Sequence, residues 1–315
     1  MSGPAPVLRQ LWACFAYATV SISLTMFNKA VFAIYEFRYP STLTTAQIII
    51  SLLFLLVWRT FGSGAKQQFD LKVLPKIFPM SFCWWIYVIS GVTALRYLNV
   101  PMYSVFRRST TMVVVIGEVA LFKKRPSNRA LFFLVTMCAG AIIAGATDLT
   151  YSLPGYIMVG ICIVSTAGYL LLIRLTKDKL GLHETSLLFY NNLISLPLMG
   201  LYLVGGTNEL EGVLQYPRLY DRGFQLFFLI SASQAFVLNL CIFYATTINS
   251  PLATSVTGQL KDILTTSLGL FIFGDVTLSK FNLLGLAVGL CGGIGYAVNG
   301  YQEKFRVEKG AILKQ

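Results

Sequence analysis

Residues 250–275 read SPLATSVTGQLKDILTTSLGLFIFGD. Apart from Lys261 and Asp262 in the middle and Asp275 at the end, the stretch is apolar, and it exceeds the roughly 20 residues a helix needs to cross a bilayer. A lysine at the centre of such a helix costs on the order of 2.5–3.5 kcal/mol on insertion scales. It has to face water, a partner or an anion.

The remainder of the chain has the same character. Of 315 residues, 56% are hydrophobic and 12% charged, against about 25% charged in a soluble domain. This composition predicts an integral membrane protein. Apolar runs of spanning length lie near 11–34, 41–61, 77–97, 101–122, 130–147, 153–173, 185–205, 224–247, 251–274 and 281–300, ten in all. The first run is too long for a cleavable signal peptide and carries Asn28 and Lys29 near its far end, so it reads as a retained helix.

With ten spans both termini share one side of the membrane. That side holds sixteen Lys and Arg residues and the other holds five, Arg38, Arg96, Arg218, Arg222 and Lys280. The positive-inside rule then puts both termini in the cytosol. The net charge of +12 is mostly this topology signal, and basic residues at membrane edges do not form a nucleic-acid-binding face. All six cysteines fall inside predicted spans, without a CxxC pair or metal-ligand spacing, and read as packing residues. No metal or other cofactor is expected.

Four basic residues remain inside the membrane: Lys29, Arg107, Arg108 and Lys261. Two of these regions are alike. The fourth run opens NVPMYSVFRR from Asn99 and the ninth opens NSPLATSVTGQLK from Asn249, each with Asn-x-Pro ahead of its charges. The runs that follow also correspond, with CAG at 138–140 and CGG at 291–293. Since the fourth and ninth runs enter from opposite sides, the expectation is an all-α membrane protein of ten transmembrane helices in two inverted five-helix repeats, 1–150 and 151–303, followed by a cytosolic basic tail, 304–315. Secondary transporters are built this way, with the site near the midplane between the halves.

The acids available to the intramembrane cations are Glu118 and Asp262, which leaves a formal excess of two positive charges. A substrate with about two negative charges, such as a diphosphate diester, complements that excess. Arg107 and Arg108 diverge by about 100° on a helix, so one points at a cavity and the other braces it or pairs with Glu118. Glu118 shares a face with Arg107 and reads either as a partner or as a brace near the cytosolic end. Lys261 is too deep to snorkel, whereas Lys29 reads equally as a snorkelling residue. A further polar cluster, FYNNLISLP at 189–197, offers Tyr190, Asn191 and Asn192 either to a nucleobase edge or as glue between helices. Glycines such as those in GLAVGLCGGIGYAVNG let helices approach closely, within the bundle or in a homodimer.

These residues resemble the nucleotide-sugar transporters of the drug/metabolite transporter superfamily over nearly the whole chain. The resemblance rests on FNKAVF with Asn28 and Lys29, PMYSVFRR followed by EVALFKK, FYNN at 189–192, and TGQLKD with the downstream FGD. It implies ten helices around a central cavity and exchange of a cytosolic nucleotide sugar for a luminal nucleoside monophosphate across the Golgi or ER membrane. In the similar GDP-mannose transporters an FYNN motif contacts the base and a GALNK motif the sugar and phosphate. Here FYNN is intact, but Gly258-Gln259-Leu260-Lys261-Asp262 has lysine in place of that asparagine and aspartate in place of that lysine. This pattern, with the proline and paired arginines of the fourth run, is closer to the branch carrying UDP-N-acetylglucosamine, UDP-glucuronate and relatives. The implied substrate residues are Lys261 and one of Arg107 and Arg108 for the diphosphate, Tyr190, Asn191 and Asn192 for the base, and Gly258, Gln259, Asp262, Asn28 and Lys29 around them. A transporter of another phosphorylated anion, such as a triose phosphate, is the alternative, although a plastid member would carry a transit peptide and about ten residues precede the first run. An intramembrane enzyme finds no support: His183 is the only histidine, and HExxH, GxGD and GxSxG are all missing.

Overall fold

The structure, a computed structural model, describes residues 7–61, 70–98, 103, 106–145, 152–273 and 280–312. Eleven α-helices run through them: α1 (Val7–Ala33), α2 (Pro40–Phe61), α3 (Leu74–Tyr97), α4 (Thr110–Phe122), α5 (Asn128–Gly145), α6 (Leu153–Leu180), α7 (Glu184–Gly205), α8 (Glu209–Leu214), α9 (Arg222–Ile248), α10 (Pro251–Phe273) and α11 (Lys280–Ile312). All but α8 coincide with an apolar run. Among the described residues six, α1, α2, α3, α6, α7 and α9, are long and apolar enough to cross a membrane, and α5 holds a shorter apolar stretch, Asn128–Gly140. Asp275, the aspartate of FGD, lies outside the described residues.

Local chemistry fixes the helix ends. Proline opens α2 and α10, where a missing N–H costs nothing. Ser152 caps α6 by accepting from Gly155 N at 3.4 Å, and Asp221 caps α9 by accepting from Gly223 N at 2.8 Å. Gly181, with φ +62°, ends α6 in the left-handed conformation that glycine adopts without strain. One feature differs from the sequence reading. The short α8 sits in the connection between α7 and α9, where six residues without an apolar run leave no periodic signal. Helix α11 continues past its apolar run to Ile312; the Glu, Lys and Arg residues there are good helix formers.

The packing partners follow a pattern. Helix α3 packs on α6 and α1 on α9; α2 packs on α9 and α3 on α7; α4 packs on α6 and α1 on α10. Helices α2 and α7, α4 and α10, and α5 and α11 also meet. Exchanging α1–α5 for α6, α7, α9, α10 and α11 in order turns the first six contacts into one another in pairs and the last three into themselves.

Helix α5 meets α11 through glycine. A Cβ on Gly140 would fall on the backbone of Gly289 and 2.7 Å from the Gly285 carbonyl oxygen, and one on Gly292 would lie 2.8 Å from the Phe133 carbonyl oxygen. Helix α4 meets α10 through polar contacts: Leu252 N donates to Glu118 Oε1 at 2.8 Å, and the hydroxyls of Thr111 and Ser255 are 3.1 Å apart. Glu118 thus satisfies a free N–H in the first turn of α10, where a carboxylate also meets the positive end of the helix dipole. It serves as the brace of the two readings, at the end of α10 rather than beside Arg107.

Replacing Gly140 or Gly292 by leucine is expected to lower the thermal midpoint in detergent, by an overpacking cost of about 1–3 kcal/mol or more. Gly160→Leu, at a position with nothing within 4 Å, is the matched control; equal melting of all three variants would refute the glycine contact. Glu118→Ala is expected to cost about 1–3 kcal/mol by orphaning the α10 N–H, with Glu118→Gln, which keeps an acceptor, losing less in the same melt.

Candidate functional site

Lys261 lies in the third turn of α10, and its ammonium donates to the neighbouring Asp262 carboxylate at 2.6 Å. The two side chains are 15% and 45% exposed, so the lysine is the more deeply held of the pair. One turn earlier, the hydroxyl of Tyr17 on α1 packs against Gly258, 3.1 Å from where a Cβ would stand. Glycine here is what lets the phenol lie against α10. Gln259 points to α4 and donates from Nε2 to the Arg107 carbonyl at 3.3 Å.

The two arginines part ways. Arg107 turns toward α3 and α6: its Nη1 donates to Tyr103 OH at 3.5 Å, and its guanidinium lies 5.7 Å from the Tyr103 ring centroid. Tyr87 on α3, Tyr17 and Asp262 are all within reach of its charge, and its Nε has no hydrogen-bond partner among the described residues. Arg108, 6% exposed, turns toward α11. Its Nη1 would stand 3.1 Å from a Cβ on Gly289 and is likewise unpartnered, while Cys138 Sγ on α5 donates to its carbonyl at 3.8 Å. Lys261, Asp262, Arg107, Gln259 and Gly258 therefore stand together with three tyrosines, and Arg108, packed against α11 and beside Cys138, is also within reach of the Asp262 charge. A guanidinium N–H without a partner and an ammonium held by a single carboxylate are donors that a phosphate can take up.

FYNN forms a second group, on α7. The Phe189 ring lies 5.7 Å from the Arg59 guanidinium, and Tyr190 OH accepts from Asp70 N at 2.9 Å, just before α3. Asn191 and Asn192 are 1% and 2% exposed, and among the described residues Asn191 Oδ1 and Asn192 Nδ2 lack hydrogen-bond partners. The helices packed on α7 carry further buried polar atoms without one among the described residues, Ser51 Oγ on α2 and Ser81 Oγ and Trp85 Nε1 on α3. A buried polar atom left unsatisfied costs about 1–3 kcal/mol. Asn28 is engaged elsewhere: it accepts from Ser231 Oγ on α9, which itself accepts from Gln47 Nε2 on α2 at 3.5 Å. The side chain of Lys29 lies outside the described residues.

The tyrosines at 17, 87 and 103 escape a reading of the sequence, because single tyrosines in apolar runs look like core aromatics. Tyr103 alone has a local signal, standing four residues before Arg107 on the same face.

Known proteins share this sequence and fold. The sequence profile of the Triose-phosphate Transporter family matches residues 8–297. The UDP-N-acetylglucosamine transporter UGNT1 of Arabidopsis thaliana is 31% identical over 94% of this chain and 89% of its own. The human Nucleotide sugar transporter SLC35D2 is 29% identical over 93% and 87%, and the Arabidopsis thaliana GDP-mannose transporter GONST2 is 29% identical over 90% and 76%. A solved crystal structure superposes with a TM-score of 0.68 over 95% of this chain and 99% of its own, at 14% identity, a likeness of fold alone. The chain is an all-α membrane protein that belongs to the Triose-phosphate Transporter family, a family of transporters rather than enzymes.

Proposed function

We propose that this chain is a nucleotide-sugar antiporter that carries a cytosolic UDP-sugar, UDP-N-acetylglucosamine or a relative, into the Golgi or ER lumen in exchange for UMP. The observation that carries the reading is the Lys261–Asp262–Arg107 group, two cations and one acid inside a helical bundle beside donors without partners. That group carries one net positive charge and Arg108, whose charge Asp262 also reaches, adds a second, so an anion of about two charges relieves the excess, and no bond needs to be made or broken. The names of the similar transporters support a nucleotide sugar as that anion, and most of those named here carry UDP-sugars or nucleotide sugars in general.

In this reading Lys261 and Arg107 hold the diphosphate. Asp262 holds Lys261 in place until substrate arrives, and Gln259 fixes the backbone of Arg107. Tyr190, Asn191 and Asn192 take the base, and Gly258 gives Tyr17 room beside the sugar and phosphate. Asn28, bonded to α9, and Arg108, packed against α11, position the walls. The exchangeable packing pattern of α1–α5 and α6–α11 supports two inverted five-helix repeats that rock around the site. The excess of Lys and Arg on the side of both termini supports a cytosolic placement of those termini. A second reading, exchange of GDP-mannose for GMP, draws on the intact FYNN and on the likeness to GONST2.

The test is counterflow in liposomes preloaded with UMP or GMP, using labelled UDP- and GDP-sugars. UDP-sugar uptake that requires internal UMP is expected; GDP-mannose uptake alone would move the base assignment, and exchange with no nucleotide sugar would end the proposal. Lys261→Ala and Arg107→Ala are each expected to lower uptake at limiting substrate about 10- to 150-fold, the worth of one charged hydrogen bond at about 1.5–3 kcal/mol. Arg108→Ala is expected to lower the melting temperature more than it changes KM. An Arg108 variant with normal stability and the larger KM defect would reverse the roles of the two arginines.

A further inference from the structure

A groove of about 530 Å³ lies apart from the paired arginines, between α1, α10 and α11, with the α4–α5 turn at its mouth. Lys124 and Arg125 stand exposed at that mouth. The two acids that line the groove are already engaged, Glu118 by Leu252 N and Glu303 by Asn299 Nδ2 at 3.0 Å. The cations at the mouth are thus its uncommitted charges. Below them the walls turn apolar, and Leu11, Phe15 and Leu264 along the groove are 48%, 62% and 46% exposed.

The dimensions match a lipid. From Ser250 at the mouth to Lys261 on the floor the groove follows α10 for about 17 Å of helix, close to one leaflet of a hydrocarbon core about 30 Å thick. We infer that the groove is a binding site for one anionic phospholipid of the leaflet on that side, with its headgroup phosphate on Lys124 and Arg125 and an acyl chain lying between α1 and α10. A soluble nucleotide would leave Leu11, Phe15 and Leu264, exposed along the wall between the mouth and Lys261, unmatched, whereas an anion joined to a chain covers them. The chain ends beside Lys261, so the occupant sets the spacing between α1 and the helix that carries the proposed phosphate ligand.

Native mass spectrometry of the full-length chain, purified in detergent and titrated with phosphatidylserine or phosphatidylcholine, tests this without any transport measurement. The expected result is preferential retention of phosphatidylserine. Lys124→Ala together with Arg125→Ala is expected to raise its apparent dissociation constant about thirtyfold, the loss that two basic groups at a lipid surface imply, and to leave phosphatidylcholine unchanged. Both residues are exposed in a turn, and an unaltered melting temperature of the double variant verifies that it folds. Equal retention of the two lipids, or unchanged phosphatidylserine binding by the double variant, would overturn the inference. So would displacement of the bound lipid by millimolar inorganic phosphate or UMP, which would give the groove to a soluble anion.

Discussion

A charge inside a membrane bundle has to be compensated where it stands. In a low-dielectric interior an isolated ion costs several kcal/mol even after relaxation, and Lys261, Arg107 and Arg108 cannot all reach the aqueous edges. Lys261 is held by the adjacent Asp262, Arg107 by the phenol and ring of Tyr103 with Asp262 in reach, and Arg108 lies within reach of the same carboxylate while packed against α11 at Gly289. One carboxylate thus serves three cations.

The same constraint explains why α4 and α10 are the polar pair of the bundle. Their contacts change character with depth. At one end Glu118 caps the first turn of α10, in the middle Thr111 meets Ser255, and next to the charges Gln259 holds the Arg107 carbonyl. Each contact satisfies a polar group that lipid could not. The ladder also ties the Arg107 backbone to the helix that carries Lys261.

The sequence made the charges and the helices legible, because a lysine in an apolar run and a proline at its start are local facts. What it left open was direction. Glu118 stands on the face of Arg107 along one helix, yet its carboxylate reaches the Leu252 N–H, 134 residues away, which no periodicity within α4 can reveal. Arg107 and Arg108 are adjacent and chemically equal, and what separates them is a tyrosine four residues earlier and a glycine on α11. FYNN was legible as a polar interruption, but its surroundings, Ser51 on α2 and Ser81 and Trp85 on α3, belong to other helices. Helix α8 had no apolar run to announce it; its residue Glu209 accepts from Thr42 N at 2.9 Å and so caps α2 from a distance.

The two ends of the bundle are closed by different physics. Where α1 leads into α2 and α7 leads through α8 into α9, Phe37, Tyr39, Tyr216, Phe224 and Phe228 interlock edge to face and tilted, and Tyr216 OH donates to the Tyr35 carbonyl. Separating these rings exposes apolar surface at about 25 cal/mol per Å². At the opposite end the links are polar: Lys177 to Glu184, Thr247 Oγ1 to Glu184 at 2.9 Å, Arg174 to the Asn249 carbonyl at 2.6 Å and Arg9 to Tyr244 at 2.6 Å. Such bonds exchange for water, at a net cost of about 0.5–1.5 kcal/mol for a neutral pair and about 1.5–3 kcal/mol where one group is charged. Each end therefore has its own separation cost, and α10, the helix that carries Lys261, begins directly after Asn249 in the polar end.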